Sequence, residues 1–238
     1  MEDGGMEHVR GRVVLLGGAT GEVGAEVARQ LQEAGARLAL AVRRPWQVEP
    51  LRARFGGTNV LVGCVGTSDS EAAAGFVKGA HDALGPVDAL IATQGAYAFG
   101  PVGADPAGEL GAMVEANLLA PANLARAVVG RFRRRRAGRL VFTGADAVGT
   151  GHGMANYLAS KAALHEYART LSLDLQDSGV AVAVAMPGIL DTQKNRKAMP
   201  DADPAGWLPV PVLARFLVQL AMAPLPAGGP LYPVPRAG

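Results

Sequence analysis

The chain has 238 residues, a hydrophobic content of 49% and a formal net charge of +2. This length fits one α/β domain with a sizeable core, and so small a net charge gives no reason to expect nucleic acid as a partner. No stretch approaches the roughly 20 apolar residues of a membrane span, and the acidic start up to Arg10 does not resemble a secretory signal. The single cysteine, Cys64, cannot form an internal disulfide, so we expect a cytoplasmic protein.

A glycine-rich turn follows the first predicted strand. Arg12 to Leu16 is a short apolar run, and a helical pattern begins after the glycines and continues to Leu31. Strand, glycine turn and helix in this order let the backbone approach a pyrophosphate, whose charge the helix N-terminus stabilises. The sequence therefore predicts a dinucleotide site at this turn, formed by Gly18, Thr20, Gly21, Val23 and Gly24.

The second predicted strand ends in two arginines. Arg37 to Val42 is mainly apolar and is followed by Arg43 and Arg44. In a dinucleotide-binding fold, an acidic residue at this place binds the ribose hydroxyls, whereas a basic residue accommodates a 2′-phosphate. The planar guanidinium suits a phosphate. The sequence therefore favours NADP(H) as cofactor, and NAD(H) stays possible because both arginines can instead face water.

The fourth predicted strand also ends at a candidate ligand site. Asn59 to Val65 is the third strand, Ser70 to Leu84 an amphipathic helix, and Val87 to Ala92 the fourth strand. Thr93-Gln94-Gly95 then turns at the carboxyl edge of the sheet, where ligands collect in open α/β folds. Gln94 and Gly95 are therefore added to the predicted cofactor site.

One long helix is predicted from Glu109 to Arg136, with a bend at Pro121. Asn117 lies on its apolar stretch, where a buried amide must find hydrogen-bond partners. The basic run from Arg131 to Arg136 can complement the negative end of this helix or bind phosphate groups. We favour the helix end because no second basic patch accompanies the run.

The fifth predicted strand leads to a tyrosine and a lysine on one helical face. Gly138 to Thr143 is the strand, and the helix runs from Met154 to about Gln176. Tyr157 and Lys161 are four residues apart, so both side chains reach the same volume. An ammonium near a phenol lowers the pKa of the phenol toward the range of a general acid. This pair is therefore the candidate catalytic site.

The remaining elements complete an alternation of strands and helices. Val180 to Ala185 is continuously apolar, as expected for a central parallel strand, and a helix is predicted from about Pro211 to Ala221. The pattern predicts a doubly wound parallel sheet of the Rossmann type, an α/β fold with helices on both faces. We expect residues 1–10 to be a flexible tail and residues 11–238 to form a single dinucleotide-binding catalytic domain.

These positions together resemble the short-chain dehydrogenase/reductase family over nearly the whole chain. The glycine turn, Asn117, the Tyr157 and Lys161 pair, and Pro187-Gly188 with Thr192 occur in the family's order. The resemblance implies that Tyr157 is the proton donor and that Lys161 lowers its pKa and holds the nicotinamide ribose. It also implies that Asn117 anchors a proton-relay water, and that Pro187, Gly188 and Thr192 seat the carboxamide end of the cofactor.

The chain departs from the family pattern at several positions. The family's serine, about a dozen residues before the tyrosine, falls at Gly144-Ala145, so the usual second hydrogen-bond donor to a substrate carbonyl is missing. Gly17 and Glu22 replace a threonine and a glycine of the turn. Val65 replaces an aspartate that contacts adenine.

In lacking this serine, the chain resembles the dihydropteridine reductase branch of the family. The segment from Leu190 to Asp203, followed by Trp207, is similar to that branch, and so is the Gly151-His152-Gly153-Met154 approach to Tyr157. This resemblance implies reduction of quinonoid dihydropterin. Against it, that branch prefers NADH and lacks the asparagine that is Asn117 here.

The predicted activity is NAD(P)H-dependent reduction of a quinonoid dihydropterin or a similar flat heterocycle, with a Tyr-Lys-Asn proton relay. Such a ring delocalises negative charge and needs less oxyanion stabilisation than a ketone. One alternative is a carbonyl reductase of the same family, in which His152, Asp146 or Thr143 replaces the serine. The other is a non-catalytic protein that senses NADP(H).

The other reactive side chains are interpreted as structural. Cys64 is expected to be a buried small hydrophobic residue, and His81 and His165 are expected to be surface or packing residues. No metal site is expected because the sequence has no clustered metal ligands. The expected partner is a small-molecule substrate and not a membrane. The two long helices resemble those that pair across a two-fold axis in the family, which implies a homodimer or homotetramer.

Overall fold

A seven-stranded sheet with the strand order β3-β2-β1-β4-β5-β6-β9 organises the molecule. All neighbouring strands are parallel. A computed structural model describes residues 7–66, 69–99, 109–149, 151–225 and 229–235. Its strands in this sheet are β1 (Val13–Gly17), β2 (Arg37–Val42), β3 (Val60–Cys64), β4 (Val87–Ala92), β5 (Gly138–Thr143), β6 (Val180–Met186) and β9 (Leu231–Pro233).

Helices cover both faces of the sheet, as the alternating pattern predicts. One face packs against α1 (Glu22–Glu33), α2 (Val48–Phe55) and α8 (Val210–Met222). The other packs against α3 (Ser70–Leu84), α5 (Ala120–Arg135) and α6 (Ala155–Leu175). Because water reaches neither face, a central strand such as β1 is buried at every residue. The chain adds β2 and β3 on one side of β1 and then crosses to add β4 on the other side. This change in strand order leaves a crevice at the carboxyl ends of β1 and β4.

The expected N-terminal tail is shorter than predicted. Residues 1–6 lie outside the described part of the chain, but Glu7–Val9 forms a short 3-10 helix. Val9 is fully buried in the core between the sheet and α1. The prediction of a flexible tail over residues 1–10 is therefore wrong for its last residues, because burial of an apolar side chain fixes them.

The predicted long helix from Glu109 to Arg136 is three segments. α4 (Glu109–Val114) passes into a π-helical segment, Glu115–Leu119, before α5 begins at Ala120. In this wider turn the N–H of Ala120 donates to the carbonyl of Glu115. Pro121 lacks an N–H, so the preceding turn cannot close with regular α-helical bonds. The π-helical segment replaces the predicted bend.

Some short elements were not predicted. The segment after β6 contains α7 (Gln193–Ala198) and a two-stranded parallel sheet of β7 (Leu190–Asp191) and β8 (Leu208–Pro209). The Thr192 hydroxyl accepts a hydrogen bond from the Asn195 N–H at 3.1 Å and caps α7. Among the helices in the described ranges, none has the length and apolar character needed to cross a membrane.

Candidate active site

The β1–α1 turn has the geometry of a phosphate-binding loop. Gly18 has a φ of 87°, a conformation that favours glycine. A side chain at Gly24 would overlap the Gly18 carbonyl, so only glycine lets α1 start this close to the turn. Gly21 precedes α1 and offers no side-chain cap. The first N–H groups of α1 therefore point toward a position that suits an anion.

A groove opens in front of this turn and contains part of the predicted cofactor site. It is lined by the glycine turn, the ends of β2, β3 and β4, and the start of α5 with the π-helical segment before it. The predicted residues that line it are Gly18, Thr20, Gly21, Arg43, Gln94 and Gly95. The predicted residues that do not line it are Val23, Gly24, Arg44, Tyr157, Lys161, Pro187, Gly188 and Thr192.

Gln94 indicates that the groove is built to hold a ligand. Its side chain fills the space in front of Gly17, where a side chain at that position would overlap it. Its Oε1 is buried without a hydrogen-bond partner among the described residues. An unpaired buried amide oxygen is costly unless a donor reaches it. The glycine turn, the free helix N-terminus and this oxygen fit a dinucleotide cofactor with hydroxyl and amide donors.

The two arginines after β2 have different surroundings. Arg43 lines the groove. The Arg44 guanidinium lies 5.3 Å from the ring centroid of Trp46, and its backbone N–H donates to Gln47 Oε1 at 2.9 Å. Gln47 also lines the groove, with its Nε2 3.5 Å from the Thr20 hydroxyl, and was not predicted. Val65, at the place of the expected aspartate, presents an apolar wall to the groove.

Asn117 connects the β4 turn to α6. It is fully buried, and its Oδ1 accepts the Ala96 N–H at 2.9 Å while its Nδ2 donates to the Ala96 carbonyl at 3.0 Å. Nδ2 also donates to the Ser160 hydroxyl at 2.8 Å, which in turn donates to the Tyr157 carbonyl at 2.6 Å. The Asn117 side chain therefore fixes the backbone beside Gly95 and the first turn of α6. Ser160 was not predicted, although it directly precedes Lys161.

Lys161 is a buried amine close to the candidate cofactor site. It is 4% exposed, and its Nζ donates to the Thr143 carbonyl at 2.7 Å. A side chain at Gly95 would bring its Cβ to 3.5 Å from this Nζ. Burial lowers the pKa of Lys161 to about 8. The structure therefore places the predicted lysine beside Gly95 and Asn117.

The pKa of Tyr157 shifts in the direction opposite to the prediction. Burial, followed by the nearby Tyr97 and the Asp146 carboxylate, raises it to about 12. The Lys161 Nζ lies 6.0 Å from the centre of the Tyr157 ring. Removal from water is the largest cause, and the expectation that Lys161 lowers the pKa of Tyr157 is wrong for this arrangement.

His165 occupies the space of the missing serine side chain. A side chain at Gly144 would overlap the His165 Nε2 and would place its Cβ 2.7 Å from Val184 Cγ1. His165 is 6% exposed, and its Nε2 accepts the Ala145 N–H at 3.3 Å. Its pKa is lowered by burial, Lys161 and Arg169. The interpretation of His165 as a packing residue is confirmed, but its position against the active-site loop was not predicted.

The exits of β5 and β6 are tied together opposite the tyrosine. The Asp146 N–H donates to the Pro187 carbonyl at 3.1 Å. The Asp146 Oδ2 lies 3.2 Å from the position that a Cβ would take on Gly188. Thr192 caps α7 with its hydroxyl. The predicted carboxamide site therefore lies beside a carboxylate.

Aromatic side chains surround the approach to Tyr157. The rings of Tyr97 and Tyr157 meet edge to face, with centroids 5.0 Å apart and an interplanar angle of 74°. The Phe99 ring is 67% exposed, and its Cε2 would lie 2.8 Å from a Cβ on Gly153. Neither Tyr97 nor Phe99 was predicted as a site residue. In the described ranges, no group of three or more His, Cys, Asp or Glu side chains could hold a metal ion.

This fold and site define the class of nucleotide-dependent oxidoreductases. The family model for short chain dehydrogenase matches residues 12–203. The chain therefore belongs to the short-chain dehydrogenase family, which confirms the predicted family, fold and enzyme class.

Individual relatives are distant. The chain is 31% identical to glycine betaine reductase ATRR of Emericella nidulans over 75% of its length, but spans only 14% of that protein. It is 26% identical to 3-oxoacyl-[acyl-carrier-protein] reductase FabG of Escherichia coli, covering 84% of this chain and 82% of FabG. A gluconate 5-dehydrogenase from Burkholderia cenocepacia, solved with NADP and tartrate, superposes with a TM-score of 0.81 at 22% identity, over 92% of this chain and 91% of that one. This last similarity shows the fold.

Proposed function

We propose that the protein uses NADPH to reduce a flat, electron-poor heterocycle of the quinonoid dihydropterin type. When bound, the nicotinamide supplies the hydride. The glycine turn binds the pyrophosphate, Arg43 contacts the 2′-phosphate, and Lys161 holds the nicotinamide ribose. NADP(H) is favoured over NAD(H) because a guanidinium, and no carboxylate, lines the groove at the end of β2.

The observation that supports this proposal is the set of side chains around the approach to Tyr157. Tyr97, Phe99 and Tyr157 offer ring faces and edges, while Gly144 offers no hydroxyl. Aromatic pairs stabilise planar ligands by about 0.5–1.5 kcal/mol beyond burial. A heterocycle that delocalises its charge also tolerates the loss of one oxyanion donor. The resemblance of Leu190 to Asp203 to dihydropteridine reductases supports the same class.

Tyr157, Lys161 and Asn117 act together in this proposal. The Tyr157 hydroxyl donates a hydrogen bond or the proton to the substrate atom that gains charge. Asn117 acts by positioning, because its amide fixes both Ala96 and the first turn of α6. The water-anchoring role expected of Asn117 remains part of the proposal.

Initial rates test the proposal directly. NADPH and NADH oxidation are measured over quinonoid dihydropterin, quinones and ketones, with Tyr157→Phe beside Tyr167→Phe as a matched control. Tyr167 lies on the same helix, with its ring packed on Phe142. We expect pterin turnover with NADPH that falls about 10²- to 10⁴-fold in Tyr157→Phe and stays unchanged in Tyr167→Phe. Turnover of ketones but never of pterins would refute the substrate class.

A carbonyl reductase is the second candidate. It is favoured by the intact Tyr157, Lys161 and Asn117 set, in which the amine lies 6.0 Å from the phenol ring and the amide donates to Ser160. Of the groups that could replace the serine, Asp146 lies beside Gly188, while Thr143 donates its hydroxyl to the Ala92 carbonyl. Ketone turnover that falls in Asp146→Ala and disappears in Tyr157→Phe would support this candidate, with Asp146 in the place of the serine.

A non-catalytic sensor of NADP(H) is the third. Because sensing needs no proton donor, this reading requires that NADPH binds equally well in Tyr157→Phe and that no substrate is turned over by the unmodified protein. Calorimetric titration with NADPH, beside the same substrate panel, separates the sensor from both enzymes.

We further propose a homodimer or homotetramer of single-domain subunits spanning residues 11–238, located in the cytoplasm. Leu119 is 43% and Leu173 is 64% exposed on the π-helical segment and α6, which supports pairing through these helices. Light scattering tests the assembly, and a single unfolding transition by two probes tests the single domain. Cys64 is free and exposed, so the prediction that it is buried is wrong, while a free thiol is compatible with a reducing compartment.

A further inference from the structure

Asp146 places a carboxylate beside the loop that follows β6. It follows β5 by three residues, and its N–H bond to the Pro187 carbonyl holds it between the exits of β5 and β6. Its Oδ2 lies 3.2 Å from the Cβ position of Gly188. The side chain therefore overlies the loop that the family pattern assigns to the nicotinamide end of the cofactor.

The carboxylate is available to a ligand. Asp146 is an exposed residue, and its side chain has no hydrogen bond or ion pair within the described ranges. Its charge helps to raise the pKa of Tyr157, so the two groups interact electrostatically. An ionised carboxylate accepts hydrogen bonds and cannot donate one.

These groups make the site unsuited to an oxyanion. Ketone reduction builds negative charge on oxygen, which needs donors aimed at that oxygen. Here Gly144 offers no donor, and Asp146 adds a negative charge nearby. The same field stabilises a positive charge, or an N–H donor, in the substrate.

We propose that Asp146 selects substrates whose reducible bond is a protonated C=N group with an N–H edge, in preference to neutral ketones. This inference rests on the proposed function and names the substrate class of the same site. A C–H bond forms at the carbon with the hydride of reduced nicotinamide, and the C=N π pair moves to nitrogen. The nitrogen keeps its proton, the substrate loses its positive charge, and the cofactor is left oxidised.

The charge state of such a substrate explains why the site works without the serine. Because the substrate arrives protonated, the hydride step creates no oxyanion, and the Tyr157 hydroxyl donates a hydrogen bond to the nitrogen as its lone pair forms. A phenol with a raised pKa and a missing hydroxyl donor therefore do not slow this step. Both features would slow the reduction of an isolated ketone.

Ligand binding tests this without turnover. The protein saturated with NADP⁺ is titrated with N-methylquinolinium, a flat cation, and with its neutral isostere methylnaphthalene. The proteins are wild type, Asp146→Asn and the control Asp174→Asn, an exposed residue at the far end of α6. We expect Asp146→Asn to weaken cation binding about tenfold, to leave the neutral ligand within twofold, and Asp174→Asn to change neither.

Kinetics give the second measurement. The ratio of kcat/KM for a protonated cyclic imine to that for the isosteric cyclic ketone should fall about tenfold in Asp146→Asn. Equal binding of the cation by wild type and Asp146→Asn would overturn the inference. Weakened NADP⁺ binding by the same factor would also overturn it, because Asp146 would then serve the cofactor. Charge-selective binding without any turnover would instead refute only the proposed function.

Discussion

The two sides of the crevice depart from the family pattern in different ways. On the cofactor side, at the carboxyl ends of β1 and β3, Gly17, Glu22 and Val65 replace usual residues, yet the turn keeps its phosphate-binding geometry. On the substrate side, between β5 and β6, Tyr157 and Lys161 are kept, yet their surroundings differ. Cofactor binding depends on the shape of the backbone, so side chains on the cofactor side can change. Catalysis on the substrate side depends on the chemistry of the side chains, so substitutions there alter which substrates react.

The largest effect is expected from a side chain at the tightest point of the cofactor side. In Gly18→Ala, the new methyl would meet the Gln94 N–H group at 2.7 Å with a φ of 87°. Strain of about 1–3 kcal/mol and the displaced turn should weaken NADPH binding about 100-fold. Fluorescence titration measures it. Gly79→Ala on α3, which has open space, is the control. NADPH affinity within threefold of wild type would show that the turn does not bind the pyrophosphate.

On the substrate side, restoring the missing serine should destabilise the protein. In Gly144→Ser the side chain would overlap His165, and we expect a loss of about 1–3 kcal/mol in the free energy of unfolding. Urea denaturation measures it. The pair Gly144→Ser and His165→Ala should lose less than the sum of the single changes. Gly111→Ser, with nothing within 4 Å, is the control. A Gly144→Ser protein as stable as wild type would contradict the packing of His165.

The buried amine should make stability depend on pH. Lys161 has a pKa of about 8 in the folded protein, whereas an unfolded lysine titrates near about 10.4. Between these values the unfolded chain binds more protons, so the free energy of unfolding rises with pH, by roughly 1 kcal/mol per unit. Above about pH 10 the raised pKa of Tyr157 acts in the opposite direction, because the unfolded tyrosine loses its proton first.

In Lys161→Met, the free energy of unfolding should no longer rise with pH over this range. Its decline at higher pH, which is due to Tyr157, should remain. Urea denaturation at pH values from 7 to 11 compares wild type with this variant and with Lys194→Met, an exposed lysine on α7. The Lys194→Met profile should follow that of wild type. Parallel profiles for wild type and Lys161→Met would mean that Lys161 does not titrate in this range.

The smallest effect on NADPH affinity is expected from Glu22, which links the cofactor side of the crevice to the segment that follows β6. Glu22 Oε2 accepts the Gln193 N–H at 3.2 Å and places a charge at the N-terminus of α1. Glu22→Gln can keep this contact and lose the charge, so NADPH affinity should rise about twofold to fivefold. Glu33→Gln, at the other end of α1, should leave it unchanged. A lower affinity in Glu22→Gln would mean that the carboxylate helps to bind the cofactor.

The sheet could be predicted from the sequence because its strands carry continuous apolar runs. Arg37–Val42, Val87–Ala92 and Gly138–Thr143 were predicted with the bounds observed. The helix Val48–Phe55 was missed because Pro50 and charged residues dilute its pattern. The π-helical segment could not be predicted, since its hydrogen bonds respond to Pro121 and leave no periodic signal.

The candidate site could be predicted only where the family pattern names a residue. Lys161 Nζ does lie 6.0 Å from the centre of the Tyr157 ring, and Asn117 donates to Ser160, the neighbour of Lys161. The unpaired Gln94 oxygen, the His165 ring behind Gly144 and the raised pKa of Tyr157 depend on contacts between distant segments. A motif shows which groups are present, but burial and neighbouring charges decide their protonation.

The π-helical segment around Asn117 determines which sequence changes this helix tolerates. A π turn places one more residue per turn than an α-helix, so each later side chain is rotated by the inserted position. Substitutions at exposed positions such as Leu119 leave that phase unchanged. Deleting a single amino acid between 115 and 119 would change this phase and turn the Asn117 amide away from Ala96. Homologous sequences and engineered variants must therefore preserve the number of residues in this segment more strictly than their identities.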